Sequence, residues 1–111
     1  MKASDLEKLL GYECACSTEK DVPIEDAYTS DLLSDVMGNA PDSSVLITIQ
    51  AHKNSVAVAS LAGIRAIVLC NGRKAPEEML EAAINEEVSI YRTGDNQFTA
   101  SWKIARLLKK K

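Results

Sequence analysis

Three short polar loops hold most of the side chains that could do chemistry. Val45–Ile49 runs into Gln50-Ala51-His52-Lys53-Asn54, Ala66–Leu69 into Cys70-Asn71-Gly72-Arg73, and Val88–Tyr91 into Arg92-Thr93-Gly94-Asp95. Each loop joins an apolar segment to a helical pattern and carries a cation with small or amide residues. Cations beside helix N-termini suit phosphate or carboxylate, because their donors add to the outward-pointing peptide N–H groups. Lys53, Arg73 and Arg92 form such a set, and the competing reading is that cations at loop tips simply face water. Asn71-Gly72 offers either a backbone that a ligand can approach, since glycine has no Cβ, or an ordinary strand-to-helix turn. Thr93-Gly94-Asp95 has the same two readings, with Asp95 a helix-capping residue in the second.

Catalysis finds less support. His52 is the sole histidine, and acid–base work would require an orienting partner and a nucleophile or water that the sequence does not supply. Cys14 and Cys16 lie two apart, which in a regular strand puts both thiols on one face, and Cys70 could join them as a third soft ligand. Zinc and iron–sulfur sites usually take four ligands and favour Cys-x-x-Cys knuckles, so buried cysteines acting as small apolar residues are the preferred reading. Asp31, Asp35 and Asp42 have no calcium-loop spacing and read as caps and surface. The P-loop, the Gly-x-Gly-x-x-Gly fingerprint and the Gly-x-Ser-x-Gly elbow are all missing. The expectation is a protein that is not an enzyme, with no cofactor and no metal.

The elements that must position these loops are regular. Ser4 with Glu7 suggests a capping box for a first helix burying Leu6, Leu9 and Leu10. Tyr12–Cys16 reads as an edge strand and Ala27–Thr29 as a short one. Ser30 or Asp31 then caps a helix that runs through Met37 and stops at Gly38-Asn39. Asn54 is the expected cap of the next helix, which carries Val56, Val58, Ala59 and Leu61 and closes at Gly63. Ala66–Leu69 is a continuous apolar run, as expected of a strand buried on both faces. Pro76 opens a helix with Met79, Leu80, Ala83 and Ile84 at helical spacing. The last helix starts near Asn96 or Gln97 and is expected to bury Phe98, Trp102, Ile104, Ala105 and Leu108. Strands alternating with helices predict a parallel sheet covered on both faces.

The chain has 111 residues, so one domain spanning 1–111 is expected, without staples. A net charge of -3 argues against a general nucleic-acid binder. Lys109-Lys110-Lys111, the one dense basic run, reads as a solvated tail at a helix C-terminus. No apolar run approaches the roughly 20 residues that span a bilayer, and the N-terminus lacks a signal core. With three cysteines, an odd number, a cytoplasmic location follows.

From Ala27 to Leu107 the sequence resembles the DRTGG domain, a small α/β module related in fold to the N-terminal domain of HPr kinase/phosphorylase. The resemblance rests on Ala27-Tyr28-Thr29-Ser30-Asp31-Leu32-Leu33-Ser34-Asp35-Val36-Met37, on Ile47-Thr48-Ile49-Gln50-Ala51-His52-Lys53-Asn54 and on Ala66-Ile67-Val68-Leu69-Cys70-Asn71-Gly72. Where the family's name has Asp-Arg this chain has His52-Lys53, and where it has Thr-Gly-Gly this chain has Asn71-Gly72-Arg73. Within the family the sequence resembles a stand-alone subgroup that accompanies iron hydrogenase and electron-transfer genes in anaerobic bacteria. A three-layer α/β/α fold with a mostly parallel sheet of about four strands is what the resemblance and the patterning both imply. The resemblance further implies a non-catalytic regulatory module that pairs as a homodimer and binds a small anionic ligand, with an adenine nucleotide the leading case. Its contacts are expected from His52, Lys53, Asn54, Asn71, Gly72, Arg73 and Thr93. The alternative is an interaction or assembly factor for a hydrogenase or electron-transfer complex, presenting an apolar patch of Leu32, Leu33, Val36 and Met37.

Overall fold

The computed structural model describes residues 1–109; Lys110 and Lys111, the end of the expected basic tail, lie outside the described residues. Five strands, β1 (Glu13–Cys16), β2 (Asp26–Thr29), β3 (Ser44–Thr48), β4 (Ala66–Leu69) and β5 (Ser89–Arg92), form one sheet in the order β1-β5-β4-β3-β2. The helices are α1 (Asp5–Lys8), α2 (Leu33–Asn39), α3 (Lys53–Leu61), α4 (Glu77–Glu86) and α5 (Gln97–Leu107). β2 to β5 run parallel and β1 is the antiparallel edge strand beside β5. The expected parallel core is therefore present, and the edge strand expected at Tyr12–Cys16 lies antiparallel beside it.

Strand order explains the layers. From β2 to β5 each strand is laid beside the previous one in the same direction, and β-α-β crossovers are right-handed. All three crossover helices consequently fall on one face, where Val36 of α2, Val56 and Ala59 of α3, and Met79 and Ala83 of α4 pack on Leu46, Ile67, Leu69 and Ile90. No crossover covers the other face. It is closed by the two ends of the chain, with Ala3 and Leu6 of the N-terminal segment and Ala100 and Ile104 of α5 packed on Val45, Ile47, Ala66, Val68 and Tyr91. Alternate residues of β3 and β4 thus serve opposite cores, which is why Ala66–Leu69 is apolar throughout. Each fully buried aliphatic side chain here contributes about 1.5–3 kcal/mol of transfer free energy.

Several local expectations change. Ser4 lies in helical conformation and makes no side-chain cap; its hydroxyl bonds Asp21 instead. Leu9, Phe98 and Trp102, expected to be buried, are exposed, and so are Leu61 of α3 and Ile84 of α4. Val36, expected in an exposed apolar patch, is buried, while Leu32 and Met37 are exposed. The cap of α3 is His52, whose Nδ1 accepts the Asn54 N–H at 3.0 Å, so Asn54 is the capped residue and not the cap. Neither Ser30 nor Asp31 caps α2, which begins after Leu32 without a side-chain cap. At α5 the capping residue is Asn96, accepting the Thr99 N–H, which leaves Asp95 for other work.

Candidate functional site

The loops after β2, β3, β4 and β5 share one edge of the sheet because these strands are parallel. At the end of β4 the chain turns toward α4 on one face, whereas at the end of β5 it turns toward α5 on the other. Diverging connections of this kind open a crevice at the carboxyl ends of adjacent strands, a common place for ligands in α/β sheets. The sequence singles out Asn71-Gly72-Arg73 on one side of that crevice and Thr93 on the other.

In this chain the crevice is closed by its own hydrogen bonds. Asn71 N–H donates to the Asp95 carbonyl at 2.9 Å and Gly72 N–H to the Thr93 carbonyl at 2.8 Å. The Arg92 guanidinium donates to the Gly72 carbonyl at 2.8 Å and pairs with Glu13 at 3.1 Å. Arg92 therefore staples the turn to the β1 edge and is removed from the set of converging cations. Asn71 and Gly72 both have positive φ, 58° and 67°, and Arg73 N–H closes the turn onto the Cys70 carbonyl at 3.1 Å. Asn-Gly suits such a turn, because amide side chains tolerate the left-handed region and glycine has no penalty there. The peptide groups of Gly72 are thus committed to the turn. What Gly72 leaves is clearance, with no atom within 4 Å of the place a Cβ would occupy.

The remaining polar groups gather beside α3 and α4. His52, Lys53, Asn54, Asn71 and Arg73 are all exposed. Lys53 approaches Glu78 of α4 at 3.8 Å, with both side chains more than half exposed, so this pair contributes under about 1 kcal/mol and leaves the ammonium able to exchange partners. Thr93 is half-buried, and its Oγ1 accepts the Asp95 N–H at 3.0 Å.

Two carboxylates organise this edge, and the sequence reading gave both only capping or surface roles. Asp31 Oδ1 accepts from Thr48 Oγ1 at 2.8 Å, Ile49 N–H at 2.9 Å and Gln97 Nε2 at 3.0 Å, joining the loop after β2 to the end of β3 and to α5. Asp95 Oδ2 accepts from Lys103 Nζ at 2.8 Å and Tyr12 O–H at 2.9 Å. The Lys103 ammonium and then the Tyr12 hydroxyl hold the Asp95 carboxyl below the usual carboxylate range, while burial pushes Tyr12 up. No local motif announces either role, since every partner is remote in sequence or on another element.

The cysteines do not converge. A bulge pairs Cys14 with Tyr91 and Cys16 with Ile90, so Ala15 is an extra residue and the alternation of side chains is reversed across it. Cys14 and Cys70 belong to the core under α5, Cys16 to the core under α4. Burial pushes the Cys70 thiol up to about 11. The three-thiol metal reading fails on this geometry, and among the described residues no group of three or more His, Cys, Asp or Glu side chains is placed to hold a metal ion.

Two cavities lie away from this edge. A cleft of about 490 Å³ is lined by Ser17, Lys20, Arg65 and Glu87 among others, near the start of β4 and β5. A groove of about 350 Å³ runs between α1 and α5. Among the described residues no helix is long and apolar enough to cross a membrane.

No family model matches the chain, and no curated protein matches it. A solved structure does. The CBS and DRTGG domains of the regulatory region of Clostridium perfringens pyrophosphatase, complexed with its activator diadenosine tetraphosphate, superpose with a TM-score of 0.76 at 16% identity. The match covers 96% of this chain and 45% of that one, so this chain spans under half of the neighbour's length. At that identity the likeness speaks for the fold, which is α/β with a mostly parallel five-stranded sheet and is DRTGG-like.

Proposed function

We propose that this chain is a non-catalytic regulatory module that binds a small anionic ligand, an adenine nucleotide in the first instance, at the carboxyl edge of its parallel strands. The observation that carries the reading is the placement of Lys53 and Arg73 on neighbouring loops of that edge, both exposed, the first tied only by a weak surface pair. The structural likeness to the regulatory region of a pyrophosphatase with an adenine-nucleotide activator supports the same direction. Phosphate oxygens would be met by Lys53 and Arg73 near the N-termini of α3 and α4. His52, Asn54, Asn71 and Thr93 line the approach, and Gly72 provides clearance rather than an N–H. The closed crevice favours a ligand resting on the loops over one inserted between the strands. Pairing of the module with itself belongs to the same proposal and is read by light scattering with and without nucleotide.

Calorimetry of the folded protein against AMP, ADP, ATP and diadenosine tetraphosphate tests the reading. Micromolar binding that falls at least tenfold in Lys53→Ala/Arg73→Ala is the expected result. Unchanged affinity in that variant would remove the site, and no heat with any of the four would remove the nucleotide.

A further inference from the structure

Charge along this chain is segregated in a way its net value hides. Residues 96–111 hold five Lys or Arg and no Asp or Glu, leaving eight Lys or Arg against 16 Asp or Glu in residues 1–95. The C-terminal stretch, α5 together with the lysines that follow it in sequence, is therefore basic while the rest of the chain is acidic. Within it Phe98, Trp102 and Arg106 are spaced by four residues each, which lines them along one side of a helix; all three are exposed, and so is Lys109 just past the helix end. Phe98 is 82% exposed and Trp102 54%, an unusual outlay for aromatics that could have faced the sheet.

The stripe has depth as well as area. Beside it lies the groove of about 350 Å³ between α1 and α5, with Leu9, Leu10, Trp102 and Leu107 as its apolar lining and Lys103 and Arg106 as its polar lining. Among the described residues no carboxylate lines it. The Arg106 guanidinium lies 5.0 Å from the centre of the Trp102 ring, so cation and ring present together as one surface. Lys103 is partly neutralised by Asp95, which leaves Arg106 and Lys109 as the cations open to a partner.

We propose that this groove docks an acidic amphipathic segment of another protein, one large apolar side chain seated against Trp102 and Leu9 and flanking carboxylates paired with Arg106 and Lys109. Charge selects this occupant. A symmetric pair of copies joined through α5 would set one basic stripe against its twin, whereas an acidic segment gains from every cation present. Aromatic and arginine residues are also the types that dominate binding energy at protein interfaces. The site lies on the opposite face of the sheet from α3 and α4, so it does not rest on the nucleotide reading.

Selection of displayed random 12-residue peptides on the immobilised full chain tests it, followed by titration of synthetic winners monitored through Trp102, the sole tryptophan. The expected winners combine Asp or Glu with Phe, Leu or Trp. They bind with a dissociation constant of about 10–100 µM, typical of short peptides on a small groove, and change the Trp102 emission. Binding should fall at least tenfold in Arg106→Glu and in Leu9→Ser, two exposed positions that line the groove and whose substitution leaves the core intact. Absence of enrichment, winners that are not acidic, or affinity unchanged in Arg106→Glu would each overturn the proposal. Binding of phosphatidylserine vesicles with the same Arg106 dependence, and of no peptide, would overturn it in favour of a membrane surface.

Discussion

Replacing Asp95 by Ala should cost this protein about 2–3 kcal/mol, and most of that cost should come from one hydroxyl. The Asp95 carboxylate takes Tyr12 O–H at 2.9 Å and Lys103 Nζ at 2.8 Å on the same oxygen. Tyr12 is only 4% exposed, so without Asp95 its hydroxyl keeps the desolvation cost and loses its charged acceptor. A hydrogen bond to a charged group is worth about 1.5–3 kcal/mol. The Lys103 pair, with side chains 35% and 25% exposed, adds about 1 kcal/mol at most. In a domain near 100 residues the loss lowers Tm by about 10 °C or somewhat more. Tyr12→Phe removes the hydroxyl without leaving a cavity, and a double-mutant cycle of the two should show a coupling of about 1–2 kcal/mol.

The same contact has a pH signature. The Asp95 carboxyl is held below the ordinary range by Lys103 and Tyr12, so its contribution is complete above the unfolded-state value near 3.9 and is lost as pH falls through the folded-state value. Urea unfolding followed by circular dichroism should therefore give a full cost for Asp95→Asn at pH 7 and pH 5, shrinking at pH 3. Additive effects of Tyr12→Phe and Asp95→Ala would refute the shared hydrogen bond. A cost for Asp95→Asn that is the same at pH 3 as at pH 7 would refute the role of its charge.

Four further predictions follow from single positions. At Gly63 φ is +77° and a Cβ would sit 1.7 Å from Asp42 Oδ1, so Gly63→Ala should cost about 2 kcal/mol or more in thermal unfolding. Gly38→Ala in α2, where a Cβ meets nothing within 4 Å, should instead gain about 0.5–1 kcal/mol. His52→Ala should cost about 1 kcal/mol and Asn54→Ala under about 0.5, because only the first removes the cap; equal costs would return the cap to Asn54. Cys70, fully buried with its thiol pushed up to about 11, should react with Ellman's reagent at pH 8 only as fast as the protein opens, well after Cys14 and Cys16.

What could be read from the sequence, and what could not, divides along the range of the interactions. The apolar run Ala66–Leu69 coincides with β4, and Val45–Ile49 and Val88–Tyr91 fall within one residue of β3 and β5, because strand burial is written locally. Placing the loops on one edge needs only the parallel alternation. Whether those loops stay open does not follow, since the bonds that close the crevice join Gly72 to Thr93 and Asn71 to Asp95 across a whole helix. The bulge at Ala15 is equally silent: a strict period of two puts Cys14 and Cys16 on one face, and one extra residue sends Cys16 to the other core. The last helix is the most instructive case. It carries two apolar stripes, one with Ala100, Ile104 and Leu108, the other with Phe98 and Trp102, offset by two residues and so by about 200°. Side-chain size alone ranks the aromatic stripe first, and it is the wrong one for the core. The smaller stripe lies against the sheet at Val45, Ile47 and Val68, where Ala100 lets the helix approach. A signal for the choice is present in the residues that continue each stripe: the aromatic one runs on into Arg106, which a core cannot accept, and the other into Leu108. A helix that spends its largest side chains on solvent and lines them with cations has been shaped for something outside its own core.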